Sequence, residues 1–263
     1  MEIQKTGIDG GKPFDWGKTS ADYAKYRDIY PDAFYDVLTS RGLCVSGQHV
    51  LDLGTGTGVL PRNLYRFGAD WTGSDISENQ ISQAKRLAAE QNMNIRFVVS
   101  PAESLPFAAA SFDVITACQC FWYFDAAAVN PKLAELLMPD GRLVILQMNW
   151  LPFEDSIAQA SEQLVLDFNP GWSGGGCQRD WVYLPEELLT AFTLDEQVFL
   201  DLHIPFTRES WHGRMRACRG VGASLSGDDL AAWDAAHRAL LRRIAPAEFT
   251  VLHQAAVTIL KKI

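Results

Sequence analysis

The sequence predicts an α/β domain built on a mostly parallel sheet, and three observations carry that expectation. Between His49 and about Met148, short strand-like runs alternate with amphipathic stretches, the pattern of strands joined by crossover helices. Most of these runs are apolar throughout, as strands covered on both faces must be. One of them, His49–Leu53, leads directly into a glycine-rich turn that opens a helix.

Residues 1–47 read as a loop and one or two helices carrying Trp16, Tyr23, Tyr26, Tyr30 and Tyr35. Strands are expected at His49–Leu53, Asp70–Ser74, Ile95–Val99, Phe112–Ala117 and Arg142–Met148. The second is short and polar, and its spacing between two helices places it. A helix from about Val59 to Phe67 ends at Gly68, a left-handed terminator. The next helix starts at Ser77, with Gln80 closing a capping box, and aligns Ile81, Ala84, Leu87 and Ala88 on one face. A third covers Pro131–Met138 and stops at the turn Pro139-Asp140-Gly141. Beyond residue 150 come a helix at Glu154–Phe168 and a flexible glycine-rich segment, Asn169–Cys177, carrying Trp172. Strands at Glu196–Phe206 and Phe249–Leu260 bring the total to seven, separated by helical stretches at Glu209–Arg219 and Asp228–Ile244. The expected organisation is one domain over residues 1–263. Its parts are an N-terminal helical cap (1–47), a ligand-binding core (48–148) and lid-like insertions at 150–190 and 207–245.

The chain has 263 residues, of which 48% are hydrophobic and 21% charged, which excludes wholesale disorder. Lys and Arg number 23 against 32 Asp and Glu, a net charge of −9. That field repels phosphate backbones and anionic lipid, so no nucleic-acid or membrane partner is expected. The first residues, Met1 to Lys5, lack the basic and apolar regions of a signal peptide. Apolar stretches such as Val114 to Phe124 fall short of a spanning helix of ~20 residues. A cytoplasmic protein is therefore expected, and its five cysteines, an odd number without framework spacing, fit a reducing compartment. No two histidines stand three or four apart, so no metal site is expected.

The chemistry lies in Val50-Leu51-Asp52-Leu53-Gly54-Thr55-Gly56-Thr57-Gly58. Glycines there let backbone approach a ligand where side chains would clash, although any tight strand-to-helix turn also favours glycine. The third glycine comes one residue too early for a dinucleotide fingerprint, and no G-K-[ST] follows for a nucleoside triphosphate. Asp75 ends the second strand, where an α/β nucleotide site puts a carboxylate to accept ribose hydroxyls.

With Ala102-Glu103-Ser104-Leu105-Pro106-Phe107, Ser111-Phe112-Asp113-Val114-Ile115 and Leu137-Met138-Pro139-Asp140-Gly141-Arg142-Leu143 in order behind that loop, residues 20–148 resemble a class I S-adenosylmethionine-dependent methyltransferase. Tyr23-Ala24-Lys25-Tyr26-Arg27 with Tyr30-Pro31, and Thr116 to Asp125, are similar to segments of the small-molecule, trans-aconitate methyltransferase-like group. The resemblance implies a Rossmann-like seven-stranded sheet with helices on both faces and helical lid insertions. It also implies S-adenosylmethionine as cofactor, leaving as S-adenosylhomocysteine, and a small-molecule acceptor bound to a monomer or homodimer. Gly54, Thr55 and Gly56 would line the methionine part, Asp75 the ribose, and Ile76, Ala102 and Glu103 the adenine, with Asp52 also among the cofactor-binding residues. Gln119 would lie near the amino-acid portion or the methyl, and Tyr23 and Arg27 would close over the cofactor carboxylate. Pro101 replaces an Asp that relatives often place against the adenine amino group, and Trp122 stands where the related group has His.

Methyl transfer from a sulfonium is an in-line displacement that needs alignment and exclusion of water more than acid–base chemistry. Candidate acceptor-binding residues are Trp122, Trp150, Trp172 and Trp211, and the candidate catalytic side chains are Tyr123 and His212. Arg208, Arg214, Arg216 and Arg219 would suit an anionic acceptor. The plainer reading of Thr207–Arg219 is a surface helix with a basic face and an exposed His. Two other functions fit the same motifs, a same-fold transferase of another group and a non-catalytic cofactor-binding module that regulates a partner.

Overall fold

A computed structural model describes residues 2–263. In chain order the elements are α1 (Ser20–Tyr26), α2 (Asp32–Thr39), β1 (His49–Leu53), α3 (Val59–Leu64), β2 (Asp70–Asp75), α4 (Glu78–Glu90), β3 (Arg96–Val99) and β4 (Phe112–Cys118). Then follow α5 (Ala126–Leu136), β5 (Leu137–Trp150), α6 (Ser156–Phe168), β6 (Phe192–Thr207), α7 (Arg208–Arg216), α8 (Gly227–Ile244) and β7 (Glu248–Lys262). The seven strands pair in the order β3-β2-β1-β4-β5-β7-β6. β1 runs parallel to β2 and β4, β2 to β3, and β4 to β5.

The single domain expected divides into two compact units. The sheet unit comprises residues 30–148, 182–200 and 255–263; the helical unit comprises the described residues up to Ile29 with 149–181 and 201–254. The expected cap of 1–47 is thus split: α1 belongs to the helical unit and α2 to the sheet unit. α2 carries its own reason, because Phe34, Tyr35, Val37 and Leu38 are all buried.

In the sheet unit, one face of the parallel strands presents Leu51, Leu53, Ile115, Ala117, Leu143 and Ile145 to Val129, Leu133 and Leu136 of α5. The alternate residues Val50, Val114, Val144 and Leu146 are buried as well, so both faces are covered. Each such Leu, Ile or Val side chain contributes roughly 1.5–3 kcal/mol by leaving water. The polar β2 holds its place through Trp71, which is fully buried, and through Gly73, where a Cβ would come within 2.9 Å of Thr55 and Phe97. α3 passes into a short 3-10 turn and ends at Gly68 with φ 83°, as expected.

Two local expectations are corrected. α5 begins at Ala126, five residues before Pro131, because the Asp125 carboxylate caps the N–H groups of Ala127 and Ala128. The Pro139–Gly141 turn lies inside β5 as an irregularity: Leu137 pairs with Phe112 and Arg142 with Val114, leaving four residues opposite Asp113. At α4, Ser77 caps the Gln80 N–H, but the reciprocal bond is taken by Asp75, whose Oδ1 accepts the Ser77 N–H at 2.8 Å.

In the helical unit α6, α7 and α8 carry the buried residues. α6 buries Ala158, Ser161, Glu162 and Val165, and α8 buries Trp233, His237 and Leu241. The segment 169–177 is packed rather than loose. Trp172 is buried, and an added Cβ at Gly220 would stand 2.7 Å from its ring. Asn169 Nδ2 donates to Gly220 O at 3.0 Å. Among the described residues no helix is long and apolar enough to cross a membrane.

Candidate functional site

Four parallel strands of the sheet unit bring the sequence-predicted residues to their carboxyl ends, where α/β folds bind ligands. After β1, Gly54, Gly56 and Gly58 all have positive φ (56°, 56° and 74°), a conformation that L side chains resist. The loop is pinned at each step. Thr55 N–H donates to Ser74 O at 2.9 Å, Gly56 N–H to Asp75 Oδ2 at 2.9 Å, and Gly58 N–H to Thr55 O at 2.8 Å. Gly54 also has no room for a side chain, since a Cβ would lie 2.8 Å from Cys120 Sγ.

After β2, the half-buried Asp75 gives one oxygen to Gly56 and the other to Ser77. Burial raises its pKa, opposed by those amides and that of Ile76. Asp52 differs from the expectation of a cofactor contact. It is 2% exposed, accepts the Thr116 hydroxyl at 2.7 Å, and burial pushes its pKa up to about 7. Its side chain supports the strand from which the loop springs and does not face outward.

After β3, Ala102–Ser104 form a 3-10 turn, and Glu103 Oε1 accepts the Asp125 N–H at 3.1 Å, tying this turn to the start of α5. After β4, Gln119 has φ 61°, its N–H donates to Leu146 O at 2.9 Å, and its Nε2 donates to Met148 O. A non-glycine residue held at that φ costs of order 1–3 kcal/mol, and such strain gathers at functional sites. Cys118 Sγ lies 3.6 Å from Tyr30 OH, a contact the sequence did not signal because 88 residues separate the two. Cys120 Sγ donates to Leu53 O at 3.1 Å and burial raises its pKa, so it is a packing residue. Trp122 and Tyr123 follow in a 3-10 turn, half-buried, with ring centroids 5.5 Å apart. Tyr123 packs on the α5 core.

The remaining candidates lie in the helical unit. Arg27 Nη2 donates to Tyr23 OH at 3.3 Å, and the guanidinium sits 4.7 Å from that ring's centroid. Trp150 is buried against Trp211 and His253, with Arg214 4.8 Å over its ring. Trp211, expected at the acceptor, is fully buried and gives its Nε1–H to Ser161 Oγ at 2.9 Å, which makes it core.

His212 is corrected from the plainer sequence reading, being buried rather than exposed. It is 2% exposed and stacks on Trp233 and His237. The hydrogen-bond chain fixes its proton. Ser161 donates to Ile157 O at 2.7 Å and accepts from Trp211, so His237 Nε2, 3.1 Å away, must donate to it. His237 Nδ1 is then bare, and His212 Nδ1, at 3.0 Å, carries the shared proton. His212 Nε2 lies 3.2 Å from Asp234, but burial outweighs that carboxylate and lowers the His212 pKa.

The arginines expected for an anionic acceptor also turn inward. Arg208 donates to Ala245 O, Arg216 pairs with Asp22 and Asp234, and Arg219 pairs with the buried Asp9 at 2.7 Å. Sequence reasoning missed Glu162, whose signal was a charge within the buried stripe of α6. Its Oε1 accepts the Trp150 indole N–H and its Oε2 the Gly176 N–H at 2.8 Å.

Comparisons with known proteins bear on this arrangement. The family model described as a methyltransferase domain matches residues 50–141. A ubiquinone biosynthesis O-methyltransferase of Coxiella burnetii is 35% identical over 108 residues, covering 41% of this chain and 46% of the relative. A demethylmenaquinone methyltransferase of Thermus thermophilus is 35% identical over 148 residues, covering 54% of this chain and 66% of the relative. The matches therefore span about half to two thirds of these relatives' lengths. Among solved structures, the YcgJ protein of Bacillus subtilis superimposes with a TM-score of 0.52 at 19% identity, covering 87% of this chain and 98% of that one, a likeness of fold.

Proposed function

We infer that this chain, whose residues 50–141 are a methyltransferase domain of the class I S-adenosylmethionine-dependent kind, transfers a methyl group to a small-molecule acceptor. The observation that carries the reading is the Asp75 carboxylate at the end of β2, holding the Gly56 amide of the glycine loop at 2.9 Å.

The residues fit S-adenosylmethionine. The glycines of the loop at Gly54–Gly58 present backbone without side chains, and the Asp75 carboxylate, holding the amides of Gly56, Ser77 and Ile76, keeps a lone pair for a ribose hydroxyl. Gly54, Thr55 and Gly56 would hold the methionine part, Asp75 the ribose, and Ile76, Ala102 and Glu103 the adenine. When bound, the cofactor supplies a methyl group on a positively charged sulfur, which an acceptor's lone pair displaces in line.

What this chain contributes is position. Gln119, tied to β5 through Met148 O, would offer its remaining amide oxygen to the ligand, and Trp122 and Tyr123 follow it in the chain. No base need act on an acceptor that already carries a free lone pair.

Calorimetric titration with S-adenosylmethionine and S-adenosylhomocysteine, followed by assay of methylated product across an acceptor panel, tests the reading. Binding of both with turnover is expected. No binding of either would sink it, and binding without turnover would favour a regulatory module.

A further inference from the structure

We propose that Glu162, together with Trp150 and Trp172, forms a receiving site in the helical unit for a ligand's protonated primary or secondary amine. The inference does not rest on the methyl-transfer reading.

Glu162 is 6% exposed, and both groups bonded to its carboxylate, the Trp150 indole and the Gly176 amide, are neutral. Four arginines of this unit pair with other carboxylates: Arg219 with Asp9, Arg216 with Asp22 and Asp234, Arg179 with Glu154 and Asp201, and Arg238 with Glu209, while Arg208 donates to Ala245 O and the buried Arg214 lies 4.8 Å over the Trp150 ring. Among the described residues Glu162 forms no ion pair. A buried carboxylate without a cation is costly, and burial raises its pKa accordingly. A cation brought to it recovers that cost.

The surroundings suit an organic cation. Gly175 separates Trp172 from the carboxylate so closely that a Cβ there would lie 3.0 Å from the ring and 3.1 Å from Glu162. Indole faces attract cations. What covers the carboxylate is the strap Gly174–Gly176, exposed at both outer glycines, and a Cβ at Gly176 would meet nothing within 4 Å. Each carboxylate oxygen uses one lone pair on a protein donor and keeps another for an N–H of the ligand.

The test is calorimetry on the full chain without cofactor, using benzylamine, benzyl alcohol and benzyltrimethylammonium as probes. Benzylamine is expected to bind saturably, with the other two and the Glu162→Gln variant weaker by about tenfold or more, as for loss of one partner of a buried charge pair. In the wild type, benzylamine binding should weaken as pH falls toward the ordinary carboxylate range, because burial raises the Glu162 pKa. The pH series decides the matter if Glu162→Gln does not fold. Equal binding of benzyl alcohol, an unaffected variant, a pH-independent affinity or no saturable benzylamine binding would each overturn the site. A parallel titration with S-adenosylhomocysteine separates the two inferences. Cofactor binding without amine binding removes only this site, and the reverse removes only the methyl-transfer reading.

Discussion

The Asp75 carboxylate accepts the N–H of Gly56 at 2.9 Å, so one side chain at the end of β2 fixes the loop that follows β1. Asp75→Ala leaves two amides, of Gly56 and Ser77, without their acceptor. It should weaken S-adenosylhomocysteine binding at least tenfold and lower stability by about 1–3 kcal/mol. Titration calorimetry and urea unfolding measure the two effects separately.

Stability should depend on pH through Asp52. Its pKa is about 7 in the folded chain and near ~4 when unfolded. Between those values the folded state binds the extra proton, so stability falls as pH rises through the window. Asp52→Asn keeps an acceptor for Thr116 and removes the titration. Urea midpoints of the variant should be flatter from about pH 4 to 8, with a difference on the order of 4 kcal/mol at most.

The opposite limb belongs to His237 and His253, both pushed down to about 3 by burial. Unfolded, each protonates near ~6.5, so below that pH the unfolded chain binds more protons and stability falls as pH drops toward 3. His253→Gln should make the acid limb of the unfolding free energy shallower by about one proton per chain.

Gly213 sits in α7, where replacing glycine by alanine ordinarily stabilises a helix by about 1 kcal/mol. Here the new Cβ would stand 2.3 Å from the Tyr26 ring, whose hydroxyl is held by Glu209 at 3.1 Å. The clash outweighs the propensity gain. Gly213→Ala should destabilise by roughly 1–3 kcal/mol, read as a lower thermal midpoint.

The Asp9–Arg219 pair is buried on both sides, and Ser173 completes it with bonds of 3.0 and 3.2 Å. Arg219→Ala should cost about 3–5 kcal/mol by stranding the carboxylate. Adding Asp9→Ala should restore part of that loss, a coupling measurable in a double-mutant cycle.

The first four strands and Gly68 were legible in the sequence to within about one residue because local signals specify them: an apolar run, a spaced glycine, a cap. The same is true of the glycine loop and Asp75. The helical unit was not legible in this way. The partner of Arg219 lies 210 residues away, and that of Trp211 lies 50 away. Nothing local distinguishes an arginine awaiting a ligand from one already paired. Readable hints did exist in Glu162 and His237, polar residues set on the buried faces of their helices. Their meaning came from the groups that surround them.

Each unit is assembled from three stretches of chain, the helical one closing with residues 201–254 and the sheet one with 255–263. During synthesis, the apolar strands made first must wait for segments made last. Such high contact order slows folding and leaves hydrophobic edges open to wrong partners. Expression of this chain should therefore respond strongly to temperature and to chaperone supply, even where the finished fold is stable.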